Sequence, residues 1–328
     1  MSRSPRLALA LSAALAATAL SPAAADADGL PVPFDAADGA GVTSLDGSAR
    51  YATVTAGNST VAIRIDPDGG EIERTLGLEG AFGVPLVAYD GTPSGLSGDG
   101  ETLALIRPRT SFPRNQTTFA ILDAERLRVR DELTLPGDFS FDALSPDGRT
   151  LYLIEYPDPR DPTAYEVRAY DLERGRLLAE PIVDPDEPQE EMAGFPQTRA
   201  VSPDGRWAYT LYARADRKEP PFVHALDTEG RAAVCIDLDL LQGRNVGRLD
   251  LAPSPDGAEL AVLDGETAVA SIDLETFEVT DPQALARTET SGGTDEADAL
   301  PWLALGGGIG LSALAVLALG RRQREPAP

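Results

Sequence analysis

Cysteine, histidine and lysine each occur once in this chain of 328 residues. Cys235 alone excludes an intrachain disulfide, and its setting in AAVCIDL reads as a small apolar core position. His224 alone excludes a zinc site built on several histidines, and a histidine-dependent triad would have to use this one residue. Lys218 is the only lysine among 28 basic residues, so cationic chemistry here is arginine chemistry. The motifs GxSxG, HExxH, CxxC and the P-loop are all missing, which removes the common signatures of catalysis. Positive charge is scarce too. The formal charge is −25, and both ends are basic: Arg3 and Arg6 at one, Arg321, Arg322 and Arg324 against Glu325 at the other. The portion between them is therefore more acidic still. It offers no footprint for nucleic acid and favours solubility and divalent cations.

Long uncharged runs stand at the two ends. Residues 1–25 read as a signal peptide: Arg3 and Arg6, an apolar stretch from Leu7 to Leu20, then Ala23-Ala24-Ala25 before Asp26. Residues 301–320 carry no charge, and at about 1.5 Å per residue they make about 30 Å of helix, the thickness of a bilayer core. Trp302 stands at the interface position, and the basic tail 321–328 follows. That pattern predicts one transmembrane helix at the cell membrane, a cytoplasmic C-terminus and an extracytoplasmic N-terminal portion. Residues 288–300 (TETSGGTDEADAL) read as an acidic linker. The tail is somewhat similar to a sortase sorting signal, but LPxTG is absent and LARTE (285–289) lacks the glycine.

The interior is repetitive. Ser-x-Asp-Gly begins at Ser44, Ser97, Ser145, Ser202 and Ser254, at spacings of 53, 48, 57 and 52 residues. A period near fifty marks one supersecondary unit used again and again. Each SxDG leads into a β-rich run such as TLYLIEYP or WAYTLYAR. A second run then ends in aspartate: Asp66, Asp123, Asp171, Asp227 and Asp273. Third and fourth runs follow, making four strands per unit. Proline presets φ in the turn, aspartate caps it, and glycine takes the left-handed conformation. These aspartates therefore read as turn-makers. The fold class is all-β, a β-propeller of about five four-stranded blades over residues 26–287, with a sixth blade possible from residues 29–43. The stretches LSPDGRTLYLI and VSPDGRWAYTL resemble TolB-like and YVTN-type (WD40-like) bacterial propeller repeats over residues 40–285. The first two units depart from the pattern by placing Leu45 and Gly98 where the proline stands.

In such a propeller the SxDG turns lie on one face. The loops joining the second and third strands lie on the other, where binding sites are free to vary. In units 1 and 5 these loops are minimal. In units 2, 3 and 4 they are long and proline-rich: 107–116, 156–163 and 213–221. They bring Arg107, Arg109, Arg114, Arg160, Arg214, Arg217 and Lys218 to one face of an acidic domain. Two readings stay open. The cations recognise an anionic group or an acidic partner, or they neutralise neighbouring acids. The acidic loop 184–192 offers Asp184, Asp186, Glu187 and Glu190 as oxygen ligands for calcium, without EF-hand spacing. NST (58–60) and NQT (115–117) fit the glycosylation sequon. The leading expectation is a binding module for a protein or cell-envelope component. The alternatives are a calcium-dependent hydrolase of phosphoesterase or lactonase type and a structural envelope spacer.

Overall fold

The SxDG turns share one geometry. The serine hydroxyl donates to the aspartate Oδ1, at 2.6 Å in Ser44–Asp46, Ser145–Asp147 and Ser254–Asp256. The same carboxylate accepts the backbone N–H two residues on, from Ser48, Glu101, Arg149, Arg206 and Ala258 in the five turns. The serine oxygen accepts the N–H five residues on, from Ala49, Thr102, Thr150, Trp207 and Glu259. Gly47, Gly100, Gly148, Gly205 and Gly257 all sit between φ 63° and 74°, the left-handed region that a Cβ disfavours. The serine hydroxyls, followed by backbone N–H groups, hold Asp46, Asp204 and Asp256 below the usual carboxylate range, Asp46 at about 2. The strand-ending aspartates act likewise. Asp171, Asp227 and Asp273 each accept two backbone N–H groups of the turn that follows.

The computed structural model describes residues 36–37, 41–186, 188, 192–216 and 218–284. The expected signal peptide, acidic linker, membrane helix and basic tail lie outside the described residues. Among the described residues no helix is long and apolar enough to cross a membrane.

Each repeat forms one antiparallel sheet whose strand order is the sequence order. Sheet 1 comprises Gly41–Thr43, Arg50–Ala56, Ser59–Ile65 and Ile72–Glu79. Sheet 2 comprises Thr102–Ile106, Gln116–Asp123 and Arg128–Pro136. Sheet 3 comprises Phe139–Leu144, Thr150–Glu155, Glu166–Asp171 and Arg176–Leu177. Sheet 4 comprises Phe195–Val201, Trp207–Ala213, Phe222–Asp227 and Ala232–Asp237. Sheet 5 comprises Leu249–Pro253, Glu259–Asp264, Thr267–Asp273 and Val279–Thr280. A two-residue pair, Ala36–Ala37 with Val84–Pro85, stands apart. The result is all-β with about five sheets of mostly four strands, consistent with a propeller.

Sheet 2 differs from the expected four strands. Its innermost strand is reduced to isolated bridges, Leu96 with Leu103 and Gly83 with Ile106. Here Gly95 sits at φ 110°, and a Cβ on it would lie 2.6 Å from the Ala104 carbonyl oxygen. So close an approach leaves room for glycine and for no larger residue.

The sheets pack face to face through four apolar seams. Tyr51, Ala62 and Leu78 of sheet 1 meet Leu103, Leu105 and Leu122 of sheet 2. On the opposite face of sheet 2, Ala104, Ile106, Phe119 and Ile121 meet Phe139, Phe141, Leu151 and Leu153 of sheet 3. Tyr152, Ile154 and Val167 then meet Ala208, Tyr212 and Phe222, and Tyr209, Leu211 and Val223 meet Leu260, Val262 and Ile272. Side chains alternate between faces along a strand. A strand sandwiched on both sides is therefore apolar throughout, and that explains runs such as TLALI. Sheet 1 is the first of the series, and its outward face leaves Val54, Val61 and Ile72 exposed.

Candidate binding site at the loop face

The loops joining second and third strands divide by length as expected. Sheets 1 and 5 turn through Gly57 and Gly265, both at φ near 62–63°. The long loops of sheets 2 and 4 are tied down by their own arginines. Arg109 is 3% exposed and grips Asp138, 1% exposed, with Nη2 2.6 Å from Oδ1. The same Nη2 donates to Ser140 Oγ at 3.0 Å, and the guanidinium lies over Tyr156 at 5.1 Å and Phe112 at 5.9 Å. Asp138 Oδ2 also accepts the backbone N–H of Arg114 at 2.8 Å. The Arg114 guanidinium donates to the carbonyls of Arg107 and Phe139. Arg107 pairs with Glu132 at 3.1 Å and lies over Phe82. Arg214 donates to the Pro220 carbonyl and to Asp237 while covering Phe222 at 4.5 Å. Two cations stand at the tips. Arg160 is 89% exposed, paired only loosely with Asp158 at 3.4 Å, and Lys218 is exposed. Arg217 lies outside the described residues.

The acidic loop is arranged for structure at Asp184. Its Oδ1 accepts the N–H of Asp186 at 2.9 Å, and its Oδ2 accepts the N–H of Cys235 at 3.0 Å. Asp186 is exposed. Glu187 and Glu190 lie outside the described residues. Among the described residues no three acidic, histidine or cysteine side chains come together as a metal-holding group.

A recess lies between sheets 3 and 4 on the loop face. Asp142 is the extra residue of a bulge in Phe139–Leu144, and Arg199 follows a second bulge in Phe195–Val201. Bulges re-aim side chains, and these two meet. Arg199 Nη1 donates to the Asp142 carbonyl at 2.8 Å, and Nη2 donates to Asp142 Oδ1. Both side chains are buried. The loop Leu86–Pro93 lies across the opening, with Tyr89 N–H donating to the Pro196 carbonyl at 2.9 Å and Asp90 N–H to the Gln197 carbonyl at 3.2 Å. Tyr156, Tyr165 and Tyr212 line the recess. Tyr165 stacks on Tyr212 at 5.2 Å, and Tyr212 stacks on Phe222 at 5.1 Å. Burial pushes the Tyr165, Tyr212 and Tyr89 phenols well above their ordinary range. His224 lies edge-on to Tyr212, and burial drives its pKa down to about 4, against the opposing pull of Asp142. The imidazole is therefore neutral at pH 7, and it sits 4.0 Å from the Cys235 sulfur. Hydrogen bonding and aromatic contact are what this recess offers.

None of the recess residues is among the loop cations. A signal was present: Asp142 and Arg199 both stand three residues before the serine of SPDG, in adjacent repeats, where the fifth repeat has Leu251. Opposite charges at one repeat position in neighbouring units are the trace of the pair that the sequence carries.

No family model and no curated protein matches the chain. Solved structures similar to it include Kuenenia stuttgartiensis hydrazine synthase, at 17% identity and TM-score 0.45, over 74% of this chain and 64% of that one. The β-propeller domain of Myceliophteria thermophila Cps50 is similar at 10% identity and TM-score 0.45, over 76% and 72%. TolB from Acinetobacter baumannii is similar at 13% identity and TM-score 0.43, over 76% of this chain and 53% of that one. The chain thus spans less than two thirds of the hydrazine synthase and TolB chains.

Proposed function

We propose that this protein is a membrane-anchored, extracytoplasmic β-propeller of five blades that binds a protein or cell-envelope component through its loop face. The observation that carries this reading is the way Asp138 pins the 107–116 loop, through the Arg109 guanidinium and the Arg114 backbone at once. The loops of sheets 3 and 4 end in the exposed tips Arg160 and Lys218 on the same face. Long loops held rigid at the base lose little freedom on binding, and that preorganisation suits recognition. The signal peptide at 1–25 and the apolar run 301–320 support secretion and anchoring, with residues 26–287 outside and the basic tail inside.

The test is photo-crosslinking in intact cells. A photoreactive residue replacing Arg160 should yield adducts with a partner. The same residue replacing Asp256, on the SxDG face, should yield none. Equal adducts from both positions, or none from either, would contradict the proposal.

A further inference from the structure

Three buried polar atoms around the recess find no hydrogen-bond partner among the described residues: Asp142 Oδ2, Arg199 Nε and Tyr165 Oη. Asp142 is 1% exposed and Arg199 9% as whole residues, and Tyr165 is 5% exposed. The Tyr212 hydroxyl acts on Tyr165 both through charge and as a hydrogen-bonding neighbour, short of full hydrogen-bond geometry, so the Tyr165 phenol keeps capacity for a further partner. A buried donor or acceptor left unmet carries its full desolvation penalty. Asp142, Arg199 and Tyr165 all line the one recess, and three unmet atoms on them ask for an occupant.

The chemistry of the three atoms defines that occupant. The carboxylate oxygen requires a donor, the guanidinium N–H requires an acceptor, and the phenol takes either. The paired charges of Asp142 and Arg199 cancel, so a charged ligand gains nothing from the pair as a whole. A ligand carboxylate would face Asp142, and a ligand ammonium would face Arg199. One hydroxyl oxygen satisfies all three, donating to Asp142 and accepting from Arg199 and Tyr165. The size agrees. The cavity is about 20 Å³, against the roughly 10–15 Å³ that one water needs.

We propose that the floor of this recess is a socket for one hydroxyl oxygen, supplied by water or by a small neutral polyol entering from the loop face. The socket concerns the floor of the recess and stands independently of the loop-tip reading above.

The test is a crystal structure of the full chain, grown without polyol additives at a resolution that shows ordered water. An oxygen peak within hydrogen-bond distance of Asp142 Oδ2, Arg199 Nε and Tyr165 Oη is expected. An empty cavity, or the three atoms paired with one another, would overturn the socket. A second crystal with glucose identifies the source. A glucose hydroxyl at the peak assigns the socket to a polyol, and an unchanged water assigns it to solvent. In solution, Asp142→Asn and Tyr165→Phe should couple through the shared oxygen. The double variant should raise the unfolding constant by at least about threefold less than the product of the single effects. Effects that simply multiply would overturn the socket. Should Asp142→Asn fail to fold, Arg199→Lys with Tyr165→Phe forms the same cycle.

Discussion

Lowering the pH from 7 to 5 should destabilise this protein by about 2 kcal/mol through one side chain. His224 is the only histidine, so it alone among ordinary side chains titrates in this range. Burial holds its folded pKa near 4, against 6.5 for the free imidazole. The folded pKa is the lower one, so below pH 6.5 the unfolded chain binds the extra proton. The stability is therefore fully present above 6.5, falls as pH drops, and stops falling below about 4. At pH 5 nearly all unfolded chains carry the proton and few folded ones do, which yields the figure above. Urea unfolding of the full chain at pH 7, 6 and 5 measures it. His224→Gln removes the term and leaves the relaxing repulsion among the acidic groups in place. The difference in slope between the two proteins isolates the histidine. Equal slopes would refute the reasoning, as would an imidazole NMR titration of the folded protein centred near 6.5.

Asp138→Ala strands the buried Arg109 guanidinium and releases the Arg114 N–H, and should cost about 3 kcal/mol or more in urea unfolding. A loss under about 1 kcal/mol would show the loop to be held by other contacts. Gly95→Ala forces a Cβ against the Ala104 carbonyl oxygen at φ 110°, and should lower stability by about 1–3 kcal/mol. An unchanged melting curve would contradict that close approach. Asp46, Asp204 and Asp256 titrate below the unfolded value of about 3.9. Their contribution is present above pH 4 and is lost as pH falls through the folded values, near 2 for Asp46. Thermal melts between pH 4 and 2 should fall more steeply for the wild type than for Asp46→Asn.

What could be read from the sequence was what is decided locally. The SxDG turn closes within five residues, so serine, aspartate and glycine specify it wherever they recur. The four β-rich runs per unit were legible in the same way, and sheets 1, 3, 4 and 5 each have four strands. Contacts between distant residues were hidden. Arg109 reads as a surface cation until Asp138, 29 residues on, is seen beside it. Asp142 and Arg199 meet across 57 residues and two bulges, and nothing local sets that meeting. Sheet 2 lacks a regular inner strand, and there Gly95 takes φ 110°, a conformation that the repeat pattern does not announce. The loop Leu86–Pro93 carries no motif that marks it, yet its backbone bonds to the first strand of sheet 4.

The most direct test of the binding reading compares capture by two forms of the full chain from detergent-solubilised cell envelope. One is wild type. The other carries Arg160→Glu and Lys218→Glu, changes at exposed tips that should leave stability within about 0.5 kcal/mol. Quantitative mass spectrometry of the retained material should show a component enriched by the wild type and depleted about tenfold or more by the variant, the equivalent of 1.4 kcal/mol. The same components retained at the same levels by both proteins would contradict a binding surface at the loop face.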